Sequence, residues 1–118
     1  MVSRIGLEDI ELVKIMDWVR FNKFQDFIWH CANERQCSPQ AGSLLKRKGV
    51  LAGVSDLFVA KGNGRFLGLF VELKVAGGKL SSAQSKFLET MNANDYLAVV
   101  RYGSVETIAT IKEYLQLD

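Results

Sequence analysis

The sequence predicts an α/β protein in which a mixed β-sheet is flanked by helices, in the order α, β, α, β, β, α, β, α. Three observations carry that reading. Apolar residues recur at helical spacing near both ends of the chain. The run 66–74 is almost continuously apolar, as in a strand buried on both faces. Turn-forming Gly, Asn and Ser residues separate the periodic segments. With 118 residues, the chain has room for one domain, residues 1–118, around one modest core.

The first helix spans residues 7–21. Leu12, Ile15, Met16 and Val19 form its apolar stripe, which Ile10 and Val13 widen. Glu8 and Asp9 fall in the first turn, where the helix dipole favours carboxylates. Residues 26–31 are short and rich in aromatics, and read as a strand. Residues 33–39 are polar and read as loop. A short helix over 41–48 stops at Gly49, with Lys46, Arg47 and Lys48 in its last turn.

Residues 56–61 and 66–74 read as paired strands around Gly62-Asn63-Gly64, because Asn-Gly suits a type I′ turn in which both central residues need positive φ. Gly77-Gly78 makes a loop. Ser81 or Ser82 caps a helix running to about Asn92. Residues 96–101 form a further strand, and 104–115 a final capped helix with Ile108, Ile111 and Leu115 on one side.

Hydrophobic residues make up 48% of the chain and charged residues 24%, as in soluble globular proteins. The net charge of +2 does not by itself indicate nucleic acid; the position of the charges must. Cys31 and Cys37 form no zinc spacing with His30, the single histidine, and reduced thiols are expected. The first residues lack the apolar core of a secretory leader, and no run approaches a membrane span. A soluble, intracellular protein with no membrane partner is expected.

Glu72 and Lys74 interrupt the apolar strand 66–74. Two apart on a strand, they share a face, and burying either alone is costly. Asp56 opens the preceding strand, so pairing of the two could set it beside Glu72. Adjacent carboxylates repel unless a hard divalent cation such as Mg²⁺ joins them. Such an ion acidifies a water and stabilises charge on a phosphate, while a neighbouring lysine orients that water. The plainer readings are an ion pair for Glu72 and Lys74 and a turn residue for Asp56. No G-x-x-x-x-G-K-[ST] motif is present, which speaks against a P-loop phosphate-binding module.

The ordered set Gly49-Val50-Leu51-Ala52-Gly53-Val54-Ser55-Asp56-Leu57, Gly68-Leu69-Phe70-Val71-Glu72-Leu73-Lys74 and Gly78-Lys79-Leu80-Ser81-Ser82-Ala83-Gln84 resembles the VRR-NUC family. That family belongs to the PD-(D/E)xK, restriction-endonuclease-like nucleases. The resemblance runs from Glu8 to about Leu115. It matches the family's glutamate ahead of a tryptophan to Glu8 and Trp18, and its His-x-x-Asn to His30 and Asn33. It matches Gly-x-Pro-Asp to Gly53 through Asp56, Glu-x-Lys to Glu72-Leu73-Lys74, and Ser-x-x-Gln to Ser81 through Gln84. Ser55 stands where the family usually has proline, Leu12 where many members have glutamine, and residues 30–33 lack the usual proline. None of these departures removes a carboxylate or the lysine.

The resemblance implies a restriction-endonuclease-like mixed β-sheet flanked by helices and a Mg²⁺- or Mn²⁺-dependent endonuclease acting on DNA. It implies Asp56, Glu72 and the Leu73 carbonyl as metal ligands, Glu8 as an outer ligand, and Lys74 as the residue that positions water. Gln84 joins them as a candidate active-site residue. Each has a plainer role beside it: Glu8 as a first-turn carboxylate, Gln84 as half of a capping box. Glu11 is a decoy for Glu8. Arg35, Lys46, Arg47, Lys48 and Lys79 are candidate phosphate contacts, with His30 and Asn33 near the DNA or the site; a dipole-matched helix end and a structural histidine are the bland alternatives.

Stand-alone members tend to resemble virus or phage proteins and look similar to homodimeric Holliday-junction resolvases. The resemblance therefore implies a homodimer on branched DNA, in the cytoplasm of a bacterial or phage-infected host. The rival expectation is a non-catalytic DNA-binding or assembly subunit that keeps the nuclease fold.

Overall fold

A computed structural model of the chain describes residues 6–32 and 38–117. The elements follow the expected order: α1 (Leu7–Phe21), β1 (Ile28–His30), α2 (Pro39–Arg47), β2 (Leu57–Val59), β3 (Leu69–Lys74), α3 (Ser82–Asn92), β4 (Leu97–Tyr102) and α4 (Gly103–Leu115). The strands lie in the order β1-β2-β3-β4, antiparallel from β1 to β3 and parallel between β3 and β4. A parallel pair needs a crossover, and α3 supplies it.

The two-residue alternation of the strands sorts the sheet into two faces. Leu57, Val59, Leu69, Val71 and Leu73 are fully buried against Ile15 and Val19 of α1 and Ile111 and Tyr114 of α4. On the other face Phe58 stacks on Phe70 with centroids 4.4 Å apart, and Phe87 of α3 meets Phe70 edge-on at 5.1 Å. The central strand β3 is thus covered on both sides, as its composition predicts. Each such aliphatic side chain contributes about 1.5–3 kcal/mol on burial.

The α1 stripe is narrower than the sequence suggests. Ile15 and Val19 are buried and Leu12 and Met16 partly so, but Ile10 and Val13 are exposed. One packing direction against the sheet accommodates only about a third of a helix's circumference. Helix α2 begins two residues earlier than expected, because Ser38 caps it through Ala41 N–H and Pro39 occupies the first turn.

The tight hairpin turn does not form. β2 ends at Val59 and β3 begins at Leu69. Gly64 has positive φ and Asn63 does not, which excludes type I′. Asn63 Oδ1 instead accepts the N–H groups of Arg65 and Phe66 at 3.0 and 2.8 Å, an Asx-type turn. Both arms leave the ladder for other partners. The Tyr114 hydroxyl donates to Lys61 O at 2.6 Å, and Leu67 N–H donates to Asp95 O at 2.9 Å.

The cap of α4 is also not the local one expected. Tyr102 at the N-cap makes no side-chain bond that caps the helix. Glu11 of α1 takes that role across 93 residues, its Oε1 accepting Ser104 N–H at 2.8 Å and the Ser104 hydroxyl at 3.1 Å. The decoy glutamate therefore ties α1 to α4.

Candidate active site

The pairing Leu57↔Val71 and Phe58↔Phe70 fixes a register that, continued one residue, sets Asp56 opposite Glu72. Both lie on the Phe58 and Phe70 face, two residues beyond the aromatic stack, and Lys74 follows two residues after Glu72. Asp56 is 4% exposed and Glu72 2%. Two carboxylates are therefore enclosed side by side where the sheet leaves its apolar covering.

Asp56 is held from three directions. Its Oδ2 accepts Leu73 N–H at 2.8 Å, and its backbone carbonyl accepts Cys31 N–H at 2.7 Å. His30 Nδ1 lies 2.7 Å from the same carbonyl, so in this contact His30 is the donor and its proton sits on Nδ1. The histidine thus braces the backbone of Asp56. Cys31, half-buried beside that carboxylate, has its thiol pushed up by burial first and by the Asp56 charge second.

Glu72 is only partly satisfied. Its Oε2 accepts Gln84 Nε2 at 3.2 Å, while its buried Oε1 has no hydrogen-bond partner among the described residues. Burial pushes this carboxyl up to about 9, aided by the neighbouring Asp56 carboxylate and by Glu8, and opposed by Lys74. A proton shared with Asp56, or a cation in its place, relieves that arrangement.

Gln84 carries both of the roles the sequence leaves open. Its Oε1 accepts Ser81 N–H at 2.9 Å while Ser81 Oγ accepts Gln84 N–H at 3.1 Å, a complete capping box for α3. The same Oε1 accepts from Lys74 Nζ at 3.1 Å. Lys74 lies farther from Glu72, at 3.8 Å.

These groups open into a cleft of about 1040 Å³. Glu8, Asp56, Lys74 and Gln84 line it together with Lys46 and Lys79. Arg47 and Lys48 stand on the exposed end of α2, outside that lining. Asn33 and Arg35 lie outside the described residues. The sequence reading omitted the aliphatic wall of the same cleft, formed by Leu45, Val50, Leu51 and Leu80. Its one signal was an apolar pair, Val50-Leu51, between Gly49 and Gly53.

The donor set suits a hard cation. It is all oxygen, it includes a buried carboxylate oxygen without a donor among the described residues, and its two carboxylates oppose each other. Among the described residues no three His, Cys, Asp or Glu side chains gather into a ready-made ligand cluster. The Asp56 and Glu72 pair would leave further positions to a backbone carbonyl, water and substrate, which is the way Mg²⁺ is commonly held.

A family model described as the VRR-NUC domain matches residues 8–105. Among solved structures, a chain described as a "VRR_NUC domain protein" is similar with a TM-score of 0.79 and 30% sequence identity. That match covers 98% of this chain and 93% of the other. No curated protein matches the chain.

Proposed function

The chain belongs to the VRR-NUC domain family, and from that premise we propose that it is a Mg²⁺- or Mn²⁺-dependent endonuclease that hydrolyses phosphodiester bonds in DNA. The observation that carries the metal dependence is the enclosed pair Asp56 and Glu72, one of whose oxygens lacks a donor among the described residues. In this reading Asp56, Glu72 and the carbonyl of Leu73 would hold the ion, with Glu8 as an outer ligand. When bound, the ion acidifies a water and stabilises the charge that develops on the phosphate.

The chain's own residues do the rest. Lys74, anchored by Gln84 Oε1, presents its ammonium to the attacking water and orients a lone pair toward phosphorus. The water oxygen bonds to phosphorus as the opposite P–O ester bond breaks, leaving a phosphate monoester and a free hydroxyl. The hydrogen bonds of Cys31 and His30 to the Asp56 carbonyl keep that carboxylate from drifting as charge shifts. Lys46 and Lys79 on the cleft, with Arg47 and Lys48 beyond it, hold flanking phosphates without reading sequence.

The substrate in this reading is branched DNA such as a four-way junction, cut by a homodimer whose two-fold axis sets two sites on opposite strands. The basis is the resemblance to stand-alone family members. The test is Mg²⁺-dependent nicking by the purified chain across single-stranded, duplex, flap and four-way DNA, beside an Asp56→Ala control. Equal activity of wild type and control, or full activity in excess EDTA, overturns the reading in favour of a contaminant or a non-catalytic subunit.

A further inference from the structure

The aliphatic wall of the cleft has no place in the chemistry above. Helix α2 buries none of its residues. Around its end Leu44 is 53% exposed, Val50 49% and Leu51 58%, and Leu80, which lines the same cleft, is 36% exposed. Val50, Leu51 and Leu80 line the same cleft as Lys46 and Lys79, and exposed aliphatics gathered in this way mark a contact surface.

The segment that bears them is held at both ends. Gly49, with φ +95°, closes α2 in a Schellman motif: Val50 N–H donates to Leu45 O and Gly49 N–H to Lys46 O, each at 3.0 Å. Four residues on, Gly53, with φ +84°, sits so close to the start of α3 that a Cβ there would lie 2.3 Å from Ala83 O. Leu51 therefore projects from a backbone pinned on either side, and its exposure is not the looseness of a free loop.

The charges around it name the occupant. Lys46, Arg47 and Lys48 precede Val50-Leu51 across Gly49, and Lys46 and Lys79 line the cleft together with them. An apolar protein surface would gain nothing from the cations Lys46 and Lys79 in the same cleft, or from Arg47 and Lys48 just beyond it. A polyanion with apolar flat faces between its charges would use both features, and DNA is that polymer. Aliphatic side chains inserted at a base step unstack it while cations hold the phosphates on either side.

We propose that Leu51, with Val50 and Leu80 lining the same cleft, is a wedge that unstacks a nucleotide beside the scissile phosphate, so that the enzyme prefers sites where a base is already unpaired. The proposal rests on the nuclease reading and adds to it the feature of the substrate that is recognised. The unstacking work falls on Leu51 when the site is fully paired and vanishes when the DNA has an unpaired base there.

The experiment compares wild type, Leu51→Ala and Leu51→Phe in Mg²⁺ on two DNAs that differ only by one unpaired base at the mapped cut. Leu51→Ala is expected to slow cleavage of the paired DNA by about tenfold more than cleavage of the unpaired one, and Leu51→Phe to restore the balance. A fluorescent purine analogue beside the cut is expected to brighten with wild type and stay dark with Leu51→Ala at saturating protein. Leu51 is exposed, so an unchanged melting curve checks that the variant folds. Cleavage of both DNAs slowed by the same factor, or not slowed, overturns the wedge alone. A wild-type chain that neither binds nor cuts any DNA overturns the nuclease reading, and the wedge with it.

Discussion

Lys74 Nζ lies 3.1 Å from Gln84 Oε1 and 3.8 Å from Glu72 Oε2, so the amide holds the ammonium more closely than the carboxylate does. Gln84 also completes the cap of α3 and donates to Glu72. The start of a helix and the orientation of the candidate catalytic groups thus depend on one side chain.

Gln84→Ala should therefore act on both. Losing half of the capping box should lower stability by about 1 kcal/mol in urea unfolding. Freeing the Lys74 ammonium should slow cleavage by about tenfold or more. Substituting Ser81→Ala loosens the cap but leaves the Lys74 contact, so it should cost similar stability with a smaller loss of rate. Equal rate losses in the two variants would show that Gln84 acts through the helix alone.

Lys74→Ala should abolish cleavage, by about a hundredfold to a thousandfold, while binding of DNA and the fold persist. Single-turnover rates and a binding isotherm check the two halves. Wild-type turnover by this variant would remove Lys74 from the mechanism.

Mg²⁺ or Mn²⁺ should support cleavage, and Ca²⁺ binding with little cleavage, because Ca²⁺ accepts looser geometry and acidifies water less. Binding of any of the three should also raise the melting temperature, since an ion that binds only the folded chain stabilises it. The shift should be absent in Asp56→Ala. A shift of equal size in that variant would place the ion elsewhere.

The Glu11 carboxyl is held down at about 2, chiefly by the Ser104 N–H and then by Lys14 and the Ser104 hydroxyl. Its folded value lies below the ordinary 4.5, so the folded chain binds fewer protons there than the unfolded chain. The stabilisation from Glu11 is thus complete above about 4.5 and is lost as pH falls toward 2. Glu11→Gln should melt lower at neutral pH and show a flatter acid limb. An acid limb identical to wild type would contradict the assigned cause.

Replacing Lys46, Arg47 and Lys48 together by Ala should weaken DNA binding across sequences. The dependence of log K on log salt should flatten by up to about 2.7, at about 0.9 per phosphate contact. Light scattering at micromolar concentration should report a dimer. A monomeric mass with equal cleavage of linear and four-way DNA would defeat the dimeric, branch-selective form and leave the nuclease reading intact.

Local spacing made much of the molecule legible in advance. The two-residue period of a strand places Glu72 and Lys74 on one face whatever the fold, and the Ser81 to Gln84 spacing reads as a capping box because its bonds span three residues. The long apolar run of β3 requires cover on both faces, and α1 and α4 on one side and α3 on the other supply it.

Other features depended on partners far away in sequence. Periodicity assigns a residue to a face but not to a neighbour, so the register that sets Asp56 opposite Glu72 needed the paired strands themselves. The Asn-Gly signal failed because Tyr114 and Asp95 compete for the backbone of the two arms. Glu11 capped α4 in place of a local residue because packing of α1 against α4 brings a carboxylate to unpaired N–H groups. The sequence by itself determined the element types, their order and the chemistry available on one strand face. Tertiary structure alone decided register, long-range caps and which aliphatics stay exposed, because these follow from the closure of loops around a common core, which no local pattern encodes.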